Sequence, residues 1–197
     1  QLQGSLAERF ESATILFADI DNFTTMAAQD RPLELVNLLN QIFTEFDRLA
    51  ELYGLEKIKT IGDAYMVVGG VPAPMKNHAE AVMAMAIDMQ AAVQHYTVRL
   101  RIGINTGPVV AGVIGKKKFS YDLWGDAVNI ASRMESHGVA DRIQVSADTY
   151  EILKNKFQFE DRGRVEIKGR GPAHTYLWMS PAVNAASRMG MESSKGD

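Results

Sequence analysis

Residues 14–24 read TILFADIDNFT, an apolar run that closes on two aspartates, Asp19 and Asp21. Thr14 to Ala18 combine β-branched and bulky apolar side chains, the composition of a strand buried within a sheet. A carboxylate at the end of such a strand loses hydration and needs a positive partner. Asp19 therefore reads in two ways: as a cap on the turn that follows, or as one ligand of a metal whose second carboxylate comes from elsewhere in the chain.

Outward from this strand, Pro32 stands where a helix begins, and Leu35, Leu38, Leu39, Ile42, Phe46 and Leu49 follow at helical spacing up to Gly54. Leu55 to Thr60 and Ala64 to Gly70 are two strand-like runs joined by Ile61-Gly62-Asp63, a β-hairpin with a carboxylate at its tip. Asn77 to His95 is a second amphipathic helix whose methionines read as core filler. Leu100 to Asn105 and Val109 to Ile114 are expected as two strands flanking Thr106-Gly107-Pro108, and Phe119 to Leu123 as another, reached through the solvated run Lys116 to Lys118. A helix from about Asp126 to His137 precedes four short strands, at Ile143 to Ser146, Phe157 to Glu160, Val165 to Ile167 and Tyr176 to Met179. The order β-α-β-β-α-β, extended by later elements, predicts an α+β fold with helices against a mainly antiparallel sheet.

The 197 residues suit one domain with a full core. We expect residues 13–180 to form it, residues 1–12 to be a segment leading in or the end of a linker helix, and residues 181–197 to be a flexible tail. A net charge of −3 gives no general attraction to nucleic acid or anionic lipid. With no cysteine, disulfides and thiolate metal sites are excluded, and no apolar run approaches the roughly 20 residues of a membrane span. A cytoplasmic location fits, as does a domain cut from a longer protein whose upstream regulatory or membrane part precedes it. The histidines, His78, His95, His137 and His174, have no metal-ligand spacing.

Asp63, at the hairpin tip, is the second carboxylate that Asp19 calls for. Two adjacent carboxylates repel, and hard cations such as Mg²⁺ relieve that repulsion while leaving coordination places for phosphate oxygens. The turn Asp21-Asn22-Phe23-Thr24 offers free backbone N–H groups to a phosphate, and Asn22 suits a left-handed bend there. Asn129 and Arg133, four residues apart on a helix, share a face.

Four segments, FADIDNFT, KIKTIGDAYMVVGG, LRIGINTGPVVAGVIG and YDLWGDAVNIASRME, together resemble the catalytic domain of class III nucleotidyl cyclases, in that family's order and from about Thr14 to Trp178. The resemblance implies a ferredoxin-like fold and a head-to-tail homodimer with active sites in the dimer cleft. It implies that Asp19, Asp63 and the backbone carbonyl of Ile20 hold two divalent cations, Mg²⁺ or Mn²⁺, and that Lys59 and Asp122 read the base. It further implies that Asn129 orients the ribose, that Arg133 stabilises the transition state, and that Lys168 binds the triphosphate.

Adenine presents an acceptor at N1 and a donor at its exocyclic amine, whereas guanine presents the reverse. Lys59 donates and ionised Asp122 accepts, so the pair matches adenine and opposes guanine. GDAYMVVGG and the proline after Thr106-Gly107 are more like guanylyl and bacterial homodimeric enzymes than like the paired mammalian adenylyl domains. With Lys59 and Asp122 deciding, the expected substrate is ATP, the expected products 3′,5′-cyclic AMP and pyrophosphate. A guanylyl cyclase and a catalytically silent nucleotide-binding module are the alternatives. No side-chain general base stands out.

Overall fold

The computed structural model describes residues 7–29 and 31–181. Its elements run β1 (Ala7–Ile20), α1 (Phe23–Ala27), α2 (Pro32–Leu52), β2 (Glu56–Ile61), β3 (Ala64–Gly69), α3 (His78–Val93), β4 (Leu100–Ile114), β5 (Ser120–Trp124), α4 (Asp126–Ser136), β6 (Ile143–Ser146), α5 (Ala147–Leu153), β7 (Phe159–Ile167) and β8 (Gly171–Trp178). The strands form one mixed sheet in the order β2-β3-β1-β4-β6-β8-β7, with β5 also paired to β4. Among these pairings β4 with β6 is parallel and the rest are antiparallel. The expected α+β architecture with its βαββαβ core is what the chain adopts.

Alternation along β1 divides the core in two. Leu16, Ala18 and Ile20 join Ile42 and Phe46 of α2, Met83 and Met89 of α3, and Ile102 and Ile104 of β4 on one face of the sheet. Ile15 and Phe17 join Met66, Val109, Leu123, Ala127 and Ala131 on the other, under α4. The methionines of α3 are core, with Met83, Met85 and Met89 fully buried. Truncating a core aromatic such as Phe46, which no solvent reaches, to Ala costs about 3–5 kcal/mol.

The two strands expected around Thr106-Gly107-Pro108 are one strand, β4, of 15 residues. Proline lacks the N–H that a ladder needs, and β1 accommodates this with a register shift: Phe10 pairs with Val109 and Ala13 with Gly107, so Glu11 and Ser12 bulge opposite Pro108. β4 also changes partners along one edge, β6 at Ile102 to Ile104 and β5 at Val110 to Ile114. The expected strands at residues 157–160 and 165–167 are likewise joined into β7, with a register shift between Asp161 and Gly163.

The helix expected near the N-terminus is not what forms from Ala7 onward, where the chain is already β1 and pairs with Gly112 of β4. A short helix, α5, went unforeseen because Ser146 belongs both to β6 and to a cap: its hydroxyl accepts the N–H of Thr149. The expected tail at residues 182–197 lies outside the described residues. Among the described residues no helix is long and apolar enough to cross a membrane.

Candidate active site

Sheet register places the first carboxylate pair. Asp19 is the penultimate residue of β1, opposite Ala64 of β3 on one side and Arg101 of β4 on the other. The β2–β3 connection is a two-residue turn in which Gly62 takes φ 59°, a value that favours glycine, and Asp63 immediately precedes Ala64. The hairpin tip therefore delivers Asp63 to Asp19, as the sequence predicts.

The electrostatics of this corner are unfavourable as it stands. Burial raises the Asp63 carboxyl to about 6, and the adjoining Asp19 adds to the rise. Burial likewise raises Asp19, with Glu135 contributing in the same direction. Asp19 Oδ2 accepts from Arg101 Nη2 at 3.4 Å, but Asp19 Oδ1 is buried with no hydrogen-bond partner among the described residues. A buried acceptor left unpaired costs about 1–3 kcal/mol, and a cation bound there removes that cost. The donor set is oxygen only, which suits a hard divalent metal. Among the described residues no group of three His, Cys, Asp or Glu side chains has metal-ligand geometry; Ile20, whose carbonyl the resemblance implies as a further contact, directly follows Asp19 at the end of β1.

Arg101 and Glu135 complete the corner, and neither was anticipated. Arg101 Nε lies 3.3 Å from Glu135 Oε1, and its Nη1 lies 3.8 Å from Asp21 Oδ1. Burial raises the Glu135 carboxyl too. Both residues carried a signal in the sequence. Arg101 is the one charge inside the apolar alternation LRIGI, and Glu135 follows Ala131 by four residues, on the same inward face of α4.

The second pair is satisfied. Lys59 Nζ on β2 donates to Asp122 Oδ2 on β5 at 2.8 Å, and Asp122 Oδ1 accepts the N–H of Leu123 at 2.8 Å. Two residues 63 positions apart are thus joined within one chain and held in a fixed orientation.

α4 carries the remaining helical candidates. Ala127, Ile130, Ala131 and Met134 face the core, and Asn129 and Arg133 are exposed one turn apart, as the spacing predicts. The helix is seated at both ends: Asn105 Nδ2 donates to Ala127 O at 2.9 Å and Gln144 Nε2 to Met134 O at 3.0 Å. Asn129, Arg133 and Lys168, the last exposed beyond β7, make no side-chain hydrogen bond or ion pair among the described residues. The structure does not bring them to Asp19 and Asp63. Phe23 and Thr24 begin α1 after Asn22, whose φ of 60° is the left-handed bend expected.

This fold and these two carboxylate-bearing clusters define a class III nucleotidyl cyclase catalytic domain. Over residues 6–180 the sequence matches the family described as Adenylate and Guanylate cyclase catalytic domain, and the chain belongs to that family. It is 44% identical to an adenylate cyclase of Mycobacterium tuberculosis, over 91% of this chain and 42% of that protein. It is 46% identical to human guanylate cyclase soluble subunit beta-2, over 87% of this chain and 29% of that protein. Among solved structures, the catalytic core of a rhodopsin-guanylyl cyclase with converted specificity, in complex with ATPalphaS, superposes with a TM-score of 0.85 at 38% identity, covering 88% of this chain and 98% of that one. The chain thus spans less than half the length of the curated relatives it matches.

Proposed function

We propose that this domain is an adenylyl cyclase that converts ATP to 3′,5′-cyclic AMP and pyrophosphate in composite sites of a homodimer. The observation that carries the choice of ATP is the Lys59–Asp122 contact, a donor and an acceptor side by side. Facing adenine, Lys59 donates to N1 and Asp122 accepts from the exocyclic amine; facing guanine, both positions are mismatched.

The reaction is an intramolecular displacement in which the ribose 3′-oxygen bonds to the α-phosphorus while the bond to the bridging oxygen of the β-phosphate breaks. Asp19, Asp63 and the Ile20 carbonyl would hold two divalent cations, Mg²⁺ or Mn²⁺. Such ions, when bound, acidify the 3′-hydroxyl, polarise the α-phosphate and hold the β- and γ-phosphates. Asn129 positions the ribose, and Arg133 neutralises charge developing on the α-phosphate. Lys168 and the N–H groups of Phe23 and Thr24 take phosphate oxygens.

The homodimer is supported by α4. Glu135 turns toward the Asp19 corner of its own chain, while Asn129 and Arg133 turn outward. Within one chain the two sets face apart. In a two-fold dimer the corner of one chain meets Lys59, Asp122, Asn129, Arg133 and Lys168 of the other. We place the domain in the cytoplasm, downstream of a regulatory or membrane segment, with no nucleic-acid partner.

GTP is the competing substrate, because relatives named for either activity are about equally similar. Supplying ATP and GTP separately to the purified domain with Mn²⁺, and separating the products, decides the matter. The expected result is cyclic AMP formed at least about tenfold faster than cyclic GMP. Faster turnover of GTP contradicts the base reading, and nucleotide binding without pyrophosphate release contradicts the enzyme.

A further inference from the structure

Arg101 is a single cation facing three carboxylates. It lies directly across the β1–β4 ladder from Asp19, with contacts of 3.4 Å to Asp19, 3.8 Å to Asp21 and 3.3 Å to Glu135. The contact with Glu135 has to be explained. The Glu135 side chain is 9% exposed and sits in the last turn of α4, where the negative end of the helix dipole disfavours an anion. Burial acts in the same direction, and the Arg101 guanidinium is the group that offsets both.

The backbone fixes this meeting. A Cβ at Gly103 would stand 2.0 Å from Glu135 N, so α4 rests directly on β4 two residues beyond Arg101. Glu135 is thereby held within reach of Nε, the nitrogen that neither Asp19 nor Asp21 engages. Without that third carboxylate, the guanidinium would answer to Asp19 and Asp21 alone and bear fully on the carboxylate that a cation needs.

We infer that Glu135 is a positioning residue of the metal half of the site: from the inward face of α4 it draws Arg101 off Asp19 and leaves that carboxylate open to divalent cations. The inference rests on the composite-site reading above and deepens it. α4 then has two duties, because Asn129 and Arg133 on its outward face serve the other site of the dimer. One rigid helix is shared between both sites.

Two measurements test this. In a Mn²⁺ titration of the homodimer, followed by the EPR signal of the free ion, Glu135→Gln weakens binding about tenfold, the scale for groups that orient metal ligands. Unchanged affinity contradicts the inference. The second measurement uses a heterodimer of an Asp63→Ala chain with an Arg133→Ala chain, which keeps one intact site: the corner of the Arg133→Ala chain with α4 of the other. Glu135→Gln is added to one chain or to the other. The expected loss of cyclic AMP formation is at least about tenfold greater when the Arg133→Ala chain carries it. Damage to the fold alone is indifferent to that placement, so equal losses, or a greater loss from the Asp63→Ala chain, overturn the inference. If Gln prevents folding, Glu135→Asp, which keeps the charge and shortens the reach, is expected to show the same asymmetry to a smaller degree. If the parent heterodimer forms, shown by co-purification of differently tagged chains, and makes no cyclic AMP, the composite site itself is wrong and the inference falls with it.

Discussion

The hydroxyls of Thr14, Thr106, Thr149 and Ser146 form a continuous buried line across the sheet, whereas Asp19, Asp63, Arg101 and Glu135 form a corner that leaves one buried oxygen without a partner among the described residues. In the hydroxyl line every side chain has a hydrogen-bond partner. Asn105 Nδ2 donates to Ala127 O, so its Oδ1 accepts, and Ser146 Oγ donates to it at 2.6 Å. Ser146 Oγ also reaches Thr149 Oγ1 at 3.3 Å, Thr149 pairs with Thr106 at 3.0 Å, and Thr106 with Thr14 at 3.0 Å. Thr14 pairs in turn with His78 Nδ1 at 2.7 Å. A cluster whose polar groups all have partners supports the fold; one whose carboxylates crowd and lack donors is the kind of place that suits a bound cation.

The largest effect that separates the two clusters is that of Asp63→Ala. Activity is expected to fall by roughly 10³-fold or more, on the scale of losing a group that stabilises transition-state charge. The melting temperature of the metal-free protein is expected to rise, because the substitution removes a carboxylate whose ionisation the folded state resists. Activity assays paired with calorimetry check both signs. Lost activity together with lost stability would make Asp63 an architectural residue.

Next in size is the double substitution Lys59→Glu with Asp122→Cys, directed at a pair that is satisfied within the chain and that we propose reads the base. Each mismatched base contact costs about 1–3 kcal/mol, so two shift the ATP-to-GTP preference by roughly a hundredfold or more. An unchanged ratio in the folded double variant removes the pair from base recognition.

Thr106→Val interrupts the hydroxyl line and leaves its neighbours unpaired, with an expected loss of about 1–3 kcal/mol in denaturant unfolding. Activity per folded molecule should stay close to that of the wild type. The reverse outcome, full stability with lost turnover, would move the line from architecture to function.

The smallest effect is that of pH on the metal-free protein. Asp63 titrates near 6 in the folded chain against an ordinary 3.8, so the folded state binds more protons than the unfolded state between those values. Stability from this group is therefore fully present below about pH 4 and is lost as pH rises through 6. Melting temperatures across that window should show the decline in the wild type and less of it in Asp63→Ala.

Asp19 and Asp63 were legible as neighbours because each stands where a simple pattern breaks, at a strand end and a hairpin tip, whereas Asn129 and Arg133 were singled out by the family resemblance and their four-residue spacing added only that they share a helix face. Arg101 and Glu135 left only a local irregularity in the sequence, and their meeting was not legible there, since it depends on a register formed only when β1, β4 and α4 pack together. The split expected in β4 came from reading Pro108 as a break. Its missing N–H is absorbed by a bulge in a strand nearly a hundred residues away, which no local pattern displays.

The most direct test of the carboxylate corner is a melting curve at pH 7.5, with and without saturating Mn²⁺, for the wild type and for Asp19→Asn. Mn²⁺ is expected to raise the melting temperature of the wild type and to leave that of Asp19→Asn nearly unmoved, with the wild-type rise shrinking at pH 5 as protons compete for Asp63. An equal rise in both proteins would mean that the cation binds elsewhere and that the orphaned oxygen of Asp19 is not its site.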